Sequence, residues 1–299
     1  MSRTPHLVFL GAATIDMIFS VEQLPVRPGK VLPTALIQAA HGMATSAATA
    51  AARLGGKVSL IARIGDDPMG DRFLAEVQAE GVDCAHVRQV RGVATPVSAV
   101  IVDADGERLI VPYYDKALGS DPNWIDDDFV RAADAVQVDV RWPEGAHKVL
   151  SLARDAGKIA VLDGDVGPVE TLSELAGVAT HNVFSAPAAQ ALTGRERCGE
   201  AVRDLARMFG GFAAVTNGEH GCYWIENGEA HHLAPPKVKA VDTLAAGDVF
   251  HGAFTLAIAE GQPIPEAVRF ANTAAAIKCM HFGGRLGAPD RDAVDRWHS

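Results

Sequence analysis

Short apolar runs alternate with segments of helical periodicity along most of the chain. The strand-like runs occupy residues 6–12, 57–65, 135–140, 158–165, 181–186 and 212–218. Apolar residues spaced three or four positions apart, which is the spacing of one helix face, mark residues 45–54, 69–80, 146–156 and 200–209. This alternation predicts an α/β protein whose mostly parallel central sheet is covered by helices on both faces.

Small and polar residues follow several of the predicted strands. In a sheet of this kind, ligands bind outside the carboxyl ends of the strands. The residues that the pattern puts there are Gly11, Asp163, Asn182, Asn217 and Gly218. We therefore expect a site at this edge of the sheet.

Two stretches break the alternation. Residues 14–38 contain β-type apolar runs with no helix between them, and residues 95–114 read as a hairpin with its turn at Asp105 and Gly106. Together they predict a small β-sheet that stands apart from the main sheet. Apolar positions exposed on such a sheet need a cover, which a substrate, a partner chain or both could provide.

The composition fits a globular protein with a full core, since 48% of the 299 residues are apolar and 21% are charged. The net charge of -10 argues against nucleic acid or an anionic membrane as the main partner. The cysteines are scattered singly and lack metal-binding spacing, which is typical of a reduced compartment. The sequence shows no signal-peptide pattern and no apolar run of membrane-spanning length, so we expect a cytoplasmic protein.

The most informative segment is DTLAAGDVFHGAF, residues 242–254. The small residues Ala245, Ala246 and Gly247 precede Asp248, and a segment of helical period follows. Free N–H groups and the helix dipole at such a start favour an anion. An anion site beside a carboxylate suits phosphoryl transfer, because the N–H groups hold the phosphoryl charge while the carboxylate takes a proton from the attacking hydroxyl. The alternative is an ordinary helix that Asp248 caps.

The sequence DTLAAGD closely resembles the DTxGAGD or DTxAAGD signature of the ribokinase-like (PfkB) carbohydrate kinases. The resemblance implies that Asp248 is the catalytic base and that Ala245, Ala246 and Gly247 form the anion hole. It also implies ATP as the phosphoryl donor and a ribokinase-like three-layer α/β sandwich with a small β-sheet lid over the sugar site.

The same resemblance divides the chain into two parts. The catalytic domain would consist of residues 1–13, 39–94 and 115–299, and the lid of residues 14–38 and 95–114. Lids of this family often mediate dimers, so the resemblance implies a homodimer formed through the lid.

A second segment, VTNGEHG at residues 215–221, resembles the family's VTxGxxG, which lines the ATP phosphates. The resemblance implies that Thr216, Gly218 and Gly221 let the nucleotide approach closely; taken alone, the segment reads as a hairpin turn. By the same analogy Asn272 would flank the adenine, and the alternative is an asparagine on a helix surface.

The sugar side matches the family less completely. By resemblance Asp16 lies under the lid and accepts hydrogen bonds from sugar hydroxyls; the alternative is a solvated turn aspartate. The family's GGxxxN segment, which contacts the sugar, corresponds to the region of Gly42, Met43 and Ser46. Gly42 keeps the close backbone approach, whereas Met43 and Ser46 change the polar contacts, so the identity of the sugar stays open.

The metal-binding segments also depart from the family pattern. Asn182 begins a partial match to NxxExxxLTG in which Ser185 replaces the usual Glu. Because Mg²⁺ prefers waters with few carboxylates, Asn182 with Asp163 or Asp165 is the predicted Mg²⁺ site. The region that binds a monovalent cation such as K⁺ in many members is matched by Asp242, Gly283 and Gly284.

Several segments, among them DVRW at residues 139–142 and IKCMHFGGR at residues 277–285, are similar to the sulfofructose kinases. In that branch a lysine, an asparagine and an arginine hold the sulfonate. Lys30 and Arg141 match two of these positions, and Pro112 stands at the third. The YYD that ends the lid strand is instead similar to ketohexokinase, and Arg141 could equally form a surface salt bridge or bind a sugar phosphate.

The sequence therefore predicts an ATP- and Mg²⁺-dependent kinase that phosphorylates a primary hydroxyl of a ketose-type sugar, with sulfofructose slightly ahead of fructose. One alternative is a fructose, ribose or nucleoside kinase of the same fold, in which Met43 and Tyr113 would form a base pocket. Another is a non-catalytic sugar sensor.

Overall fold

The computed structural model describes residues 3–297, within which there are thirteen strands and ten α-helices. The strands are β1 (His6–Leu10), β2 (Thr14–Ser20), β3 (Ala35–His41), β4 (Lys57–Gly65), β5 (Val82–Val90), β6 (Val97–Val102), β7 (Arg108–Tyr113), β8 (Ala135–Val138), β9 (Ile159–Gly164), β10 (His181–Ser185), β11 (Phe212–Thr216), β12 (Cys222–Glu226) and β13 (Glu229–Leu233). The helices are α1 (Met43–Arg53), α2 (Pro68–Ala79), α3 (Asp127–Ala132), α4 (Pro143–Asp155), α5 (Val169–Ala176), α6 (Ala186–Thr193), α7 (Cys198–Phe209), α8 (Ala246–Ala259), α9 (Ile264–Cys279) and α10 (Arg291–Trp297).

Most strands form one large sheet in the order β13-β12-β11-β10-β9-β8-β1-β4-β5. Neighbours from β11 to β5 are parallel, and β12 and β13 extend the sheet as an antiparallel edge. Strands buried on both faces are mostly apolar, which explains the continuous apolar run of residues 7–10 in β1. The predicted α/β fold with a mostly parallel sheet is confirmed.

Helices cover the large sheet on both faces. One face packs against α1, α2, α8, α9 and α10 in a core that includes Phe9 and Phe254. The other packs against α3, α4, α5, α6 and α7 around Leu150 and Phe184. Within residues 3–297, none of these helices combines the length and apolarity needed to cross a bilayer.

Local signals set the helix boundaries. Asp67 caps α2 by accepting a hydrogen bond from the Gly70 N–H at 2.8 Å. Pro68 and Pro143 occupy first-turn positions, where the missing N–H has no intrahelical partner to lose. Helix α4 therefore begins ahead of the predicted residue 146, and α1 likewise begins at Met43 rather than residue 45.

The remaining strands form a separate small sheet in the order β3-β2-β6-β7. Side chains alternate between the faces of a sheet. The register therefore puts Ile18 and Val100 on the inner face, where they are buried with Leu244. The outer face carries Leu36 and Leu109, whose residues are 57% and 46% exposed.

The helices α1 and α8 approach each other closely at a glycine. A Cβ at Gly252 would lie 2.2 Å from the carbonyl oxygen of Ala47. The facing part of α1 consists largely of buried small residues, which lets the two backbones come this near. Asp248 lies in the first turn of α8. This contact therefore fixes the helix that carries the predicted catalytic residue.

We predict that Gly252→Ala lowers the free energy of unfolding by about 1–3 kcal/mol, because the added methyl overpacks the contact with Ala47. Gly199→Ala is the matched control, since its Cβ has only one neighbour, at 4.0 Å, and alanine favours a helix. Urea denaturation monitored by circular dichroism measures both variants. Equal stability of Gly252→Ala and the wild type would contradict the close approach.

Candidate active site

The first turn of α8 faces an open cavity. Ala245 precedes it with a φ of 62°, a left-handed conformation that residues other than glycine rarely adopt. Nothing lies within 4 Å of a Cβ built at Gly247. The Ala246 N–H donates to the Thr243 carbonyl oxygen at 3.2 Å, so this member of the predicted anion hole is committed to the turn. The N–H groups of Ala245 and Gly247 are left for an anion.

Asp248 is the third residue of α8, and the capping position belongs to Ala245. The alternative in which Asp248 merely caps the helix is therefore wrong. Burial raises the pKa of the Asp248 carboxyl well above its usual value, the negative charge of Asp163 raises it further, and His251 opposes the shift. A carboxylate with a raised pKa is suited to accept a proton near neutral pH.

A buried pair, Asp163 and His251, lies next to Asp248. The His251 Nε2 is 3.4 Å from Asp163 Oδ1, and the His251 Nδ1 is 2.8 Å from the Gly247 carbonyl oxygen. The other carboxylate oxygen of Asp163, Oδ2, is buried and has no hydrogen-bond partner among residues 3–297. Burial raises the pKa of Asp163, and the charge of Asp165 adds to this shift.

The cavity beside α8 has a volume of about 660 Å³. Its lining includes all the predicted nucleotide-binding residues and two from the anion hole: Thr216, Gly218, Gly221, Asn272, Ala246 and Gly247. Asn272 is buried, and its Nδ2 donates to the Leu233 carbonyl oxygen at 2.9 Å. It is therefore not an asparagine on a helix surface, and the structure brings the predicted residues to one cavity.

Asp16 lies on the inner face of the small sheet, which the alternation along β2 shares with Ile18. It is buried, accepts a hydrogen bond from the Thr14 hydroxyl at 2.7 Å, and has Oδ2 3.8 Å from His41 Nδ1. Burial raises the pKa of Asp16. The alternative of a solvated turn aspartate is therefore wrong.

The start of α1 is held close to the end of β1. Gly42 has a φ of 110°, and a Cβ there would lie 2.2 Å from the Ala12 carbonyl oxygen. Asp139 Oδ2 accepts hydrogen bonds from the Ala12 and Ala44 N–H groups at 2.7 and 3.0 Å. These contacts require glycine at position 42 and fix the direction of α1.

Met43 and Ser46 lie in the first turn of this helix. Met43 is half-buried, whereas the Ser46 hydroxyl is buried without a hydrogen-bond partner in the described part of the chain. The substitutions in the sugar segment thus leave an apolar side chain at the helix start and an unsatisfied hydroxyl inside it.

Tyr114 is a site residue that the sequence analysis overlooked in favour of Tyr113. The residue Tyr114 is 40% exposed, yet partial burial raises the pKa of its phenol, and the charges of Asp139, Asp16 and Asp248 raise it further. The phenol therefore lies within electrostatic range of both the predicted base and the predicted sugar carboxylate. The signal that could have identified it was its position directly after β7, within the YYD sequence of residues 113–115.

The two residues predicted to clamp a sulfonate are not brought together as free cations. The Arg141 guanidinium is 3.2 Å from Asp165 Oδ2 and donates to the Val166 carbonyl oxygen at 2.9 Å. Lys30 is exposed in the segment between β2 and β3. The salt-bridge alternative for Arg141 is the one that the structure shows.

Asn182 does not reach the site, which corrects its prediction as a metal ligand. The register pairs Asn182 with Leu162, ahead of Asp163 at the end of β9. Its side chain is buried, and its Nδ2 donates to the Ala176 carbonyl oxygen at 3.1 Å, at the end of α5. The amide therefore satisfies a helix terminus in the interior.

Asp242 is brought together with Gly283 and Gly284, but as an acceptor of protein hydrogen bonds. Its carboxylate accepts from the N–H groups of Leu244, Gly283 and Gly284 at 2.7, 3.0 and 2.8 Å, and the Lys278 ammonium is 3.3 Å away. The carboxylate predicted as a metal ligand thus already has a protein cation beside it, and its role as a ligand stays a prediction. Within residues 3–297, no group of three or more His, Cys, Asp or Glu side chains could hold a metal ion.

The chain was compared with proteins of known family and structure. Residues 4–291 match the sequence profile of the pfkB family of carbohydrate kinases. A ribokinase from Haemophilus influenzae is 29% identical, and the match covers 95% of both chains.

Solved structures agree with this match. A crystal structure of an Agrobacterium tumefaciens protein proposed to be a ribokinase is 46% identical over 99% of this chain and 97% of its own, with a TM-score of 0.95. The Arabidopsis thaliana ribokinase complexed with ribose and ATP is 26% identical over 98% of each chain, with a TM-score of 0.84. The fold, the cavity beside α8 and these matches agree: the chain belongs to the pfkB family of carbohydrate kinases.

Proposed function

We propose that Asp248 is the general base that deprotonates a primary hydroxyl of a sugar as this hydroxyl attacks the γ-phosphoryl group of ATP. The observation that carries the proposal is the position of Asp248, a half-buried carboxylate of raised pKa in the first turn of α8. Attack by the oxygen and departure of ADP are balanced by transfer of the hydroxyl proton to Asp248.

The neighbouring groups support this role. The cavity of about 660 Å³ is large enough for a nucleotide, and its lining reaches Gly247. The N–H groups of Ala245 and Gly247 stabilise negative charge on the transferred group. The small sheet, with Asp16 on its inner face, covers the sugar and keeps out water that would otherwise hydrolyse ATP.

The residues present fit a Mg²⁺ ion that arrives with ATP. Asp163 Oδ2 is buried without a hydrogen-bond partner among residues 3–297, and the charge of Asp165 raises the pKa of Asp163. Mg²⁺ is usually bound through one or two carboxylates together with substrate phosphates, so Asp163 and Asp165 would hold it. When bound, the ion neutralises phosphate charge.

The arrangement favours a neutral sugar over a sulfonated one. The Arg141 guanidinium is already paired with Asp165, and Lys30 is exposed in the segment between β2 and β3. The relatives named as ribokinases make ribose the first substrate to test, with fructose next. Sulfofructose serves as the contrasting substrate.

We further propose that two copies of the chain pair through the outer face of the small sheet. Strand β7 is exposed along its whole length, and its residues Leu109, Val111 and Tyr113 share the outer face with Leu36 of β3. An apolar face that spans a sheet is unfavourable in water unless it is covered. A second copy supplies a matching apolar face.

We predict that Asp248→Asn lowers kcat by about two to four orders of magnitude, as expected for loss of a general base, and leaves the circular dichroism spectrum unchanged. ADP release with Mg-ATP is measured against ribose, fructose, sulfofructose and adenosine. Asp155→Asn, an exposed change on α4, is the control. Near-normal turnover of Asp248→Asn on the best sugar would contradict the role of Asp248, and no turnover on any sugar would favour the sensor alternative.

The raised pKa of Asp248 predicts an acid limb in the pH profile of kcat. The base must be ionised, so kcat rises with pH through this pKa. Because the charge of Asp163 helps to raise it, Asp163→Asn should move the acid limb to lower pH, whatever its effect on the maximum rate. Asp128→Asn, on exposed α3, should leave the limb in place. An unmoved limb in Asp163→Asn would show that another group controls the profile.

The outer-face proposal predicts that Leu109→Lys converts a dimer into a monomer, because it buries an unpaired charge in the interface. Size-exclusion chromatography with light scattering gives the mass of each variant. Met208→Lys, at another exposed apolar position, should leave the mass unchanged. A monomeric wild-type protein at micromolar concentration would overturn the proposal.

A further inference from the structure

A lysine is fully buried beside the segment that leads to the anion hole. Lys278, in the last turn of α9, has no exposed surface. Its ammonium donates to the Asp242 carbonyl oxygen at 2.6 Å and lies 3.3 Å from Asp242 Oδ2. Burial lowers the pKa of Lys278, and the Asp242 carboxylate opposes the shift by stabilising the charged form.

Both carboxylate oxygens of Asp242 are contacted by protein donors. Its Oδ1 accepts from the Leu244 N–H, and its Oδ2 faces the N–H groups of Gly283 and Gly284 as well as the Lys278 ammonium. Three of these donors share Oδ2, and one of the three is a full positive charge. The residues at this position therefore do not fit a K⁺ ion, because the Lys278 ammonium already lies beside Oδ2 and would repel a second cation there.

The same bonds hold the segment that enters α8. The Asp242 carboxylate accepts a hydrogen bond from the Leu244 N–H, two residues further along the chain. Ala245 and Gly247, the remaining residues of the proposed anion hole, come soon after Leu244. A positive charge beside this buried carboxylate adds to the stabilisation that the N–H donors provide. A monovalent cation or an ammonium group can supply it.

We propose that Lys278 is a built-in cation that positions the anion hole, and that the kinase consequently works without K⁺ or another monovalent ion. The inference rests on the proposed role of the first turn of α8. Lys278 is a positioning residue, since it acts through Asp242 and Leu244 and does not contact the reacting groups.

The first measurement is the kcat of the wild-type enzyme in potassium, sodium and tetramethylammonium chloride at equal ionic strength. The three values should agree within about twofold, a difference below 0.5 kcal/mol in barrier. An activation of tenfold or more by K⁺ would overturn the proposal. This test needs no variant and is unaffected by any folding defect.

The second measurement uses Lys278→Ala, which leaves space for a small cation. Its kcat in tetramethylammonium chloride should fall by at least about tenfold, since loss of one well-placed anion-hole donor alone costs about 10²–10³. Ammonium or potassium chloride should restore much of the rate, with little change in the KM for the sugar. A lost rate that no small cation restores would assign Lys278 a purely structural role.

Lys148→Ala is the matched control. The Lys148 ammonium also donates a hydrogen bond to a backbone carbonyl oxygen, that of Ile125 at 2.9 Å. This lysine lies on the opposite face of the large sheet. Any loss of stability in this variant should not respond to K⁺ or ammonium ions. A response equal to that of Lys278→Ala would show that the salt acts on the protein in general.

Thermal unfolding separates this inference from the assignment of the activity. A cation that binds the folded state raises the melting temperature, so potassium chloride should raise that of Lys278→Ala relative to tetramethylammonium chloride and leave the wild type unchanged. A K⁺-dependent shift in the wild type would contradict the proposal even if no sugar were phosphorylated. Absence of turnover with the predicted shifts would instead contradict only the proposed function.

Discussion

A carboxylate buried at the carboxyl edge of the large sheet needs donors, because an unmatched buried polar group costs about 1–3 kcal/mol and more when charged. Asp139 meets this requirement with the N–H groups of Ala12, Ala44 and Arg141. These bonds join the end of β1, the start of α1 and the segment after β8, which are far apart in sequence. The remainder of the edge depends on this junction: a Cβ at Gly11 would lie 2.1 Å from Asp139, so even the first turn is shaped around it.

Asp163 and Asp248 are the carboxylates at this edge that lack a full set of hydrogen-bond donors. Asp163 Oδ2 has no partner, and Asp248 makes no side-chain hydrogen bond, within residues 3–297. Burial has the largest effect on both pKa values; the charge of Asp163 further raises the pKa of Asp248, and the charges of Asp165 and Asp139 further raise that of Asp163. A carboxylate with a full set of hydrogen-bond donors, such as Asp139, is therefore structural, since its charge is already stabilised. Asp163 and Asp248, which lack such donors, can bind a proton and a cation, and phosphoryl transfer requires both.

Features encoded over a few residues could be predicted from the sequence, and features created by distant contacts could not. The strand–helix alternation and the segment before Asp248 are local, and both led to the correct family. Asn182 was misplaced because an apolar run shows that a strand exists, whereas its register with Leu162 decides which residue reaches the edge. Lys278 gave no signal at all: a lysine near a helix end is ordinary, and its partner Asp242 lies 36 positions earlier.

The strained backbone at Ala245 explains why the segment before α8 is held at several points. A left-handed alanine costs roughly 1–2 kcal/mol that glycine would avoid, so the surrounding bonds must maintain it. The Asp242 carboxylate accepts a hydrogen bond from the Leu244 N–H. In addition, the Thr243 hydroxyl donates to the Gly106 carbonyl oxygen at 3.1 Å and accepts from the Arg108 guanidinium at 2.7 Å. The second set of contacts comes from the β6–β7 hairpin of the small sheet. A movement of that hairpin would therefore act directly on the segment before α8, and would link the proposed covering of the sugar to the geometry of the proposed anion hole.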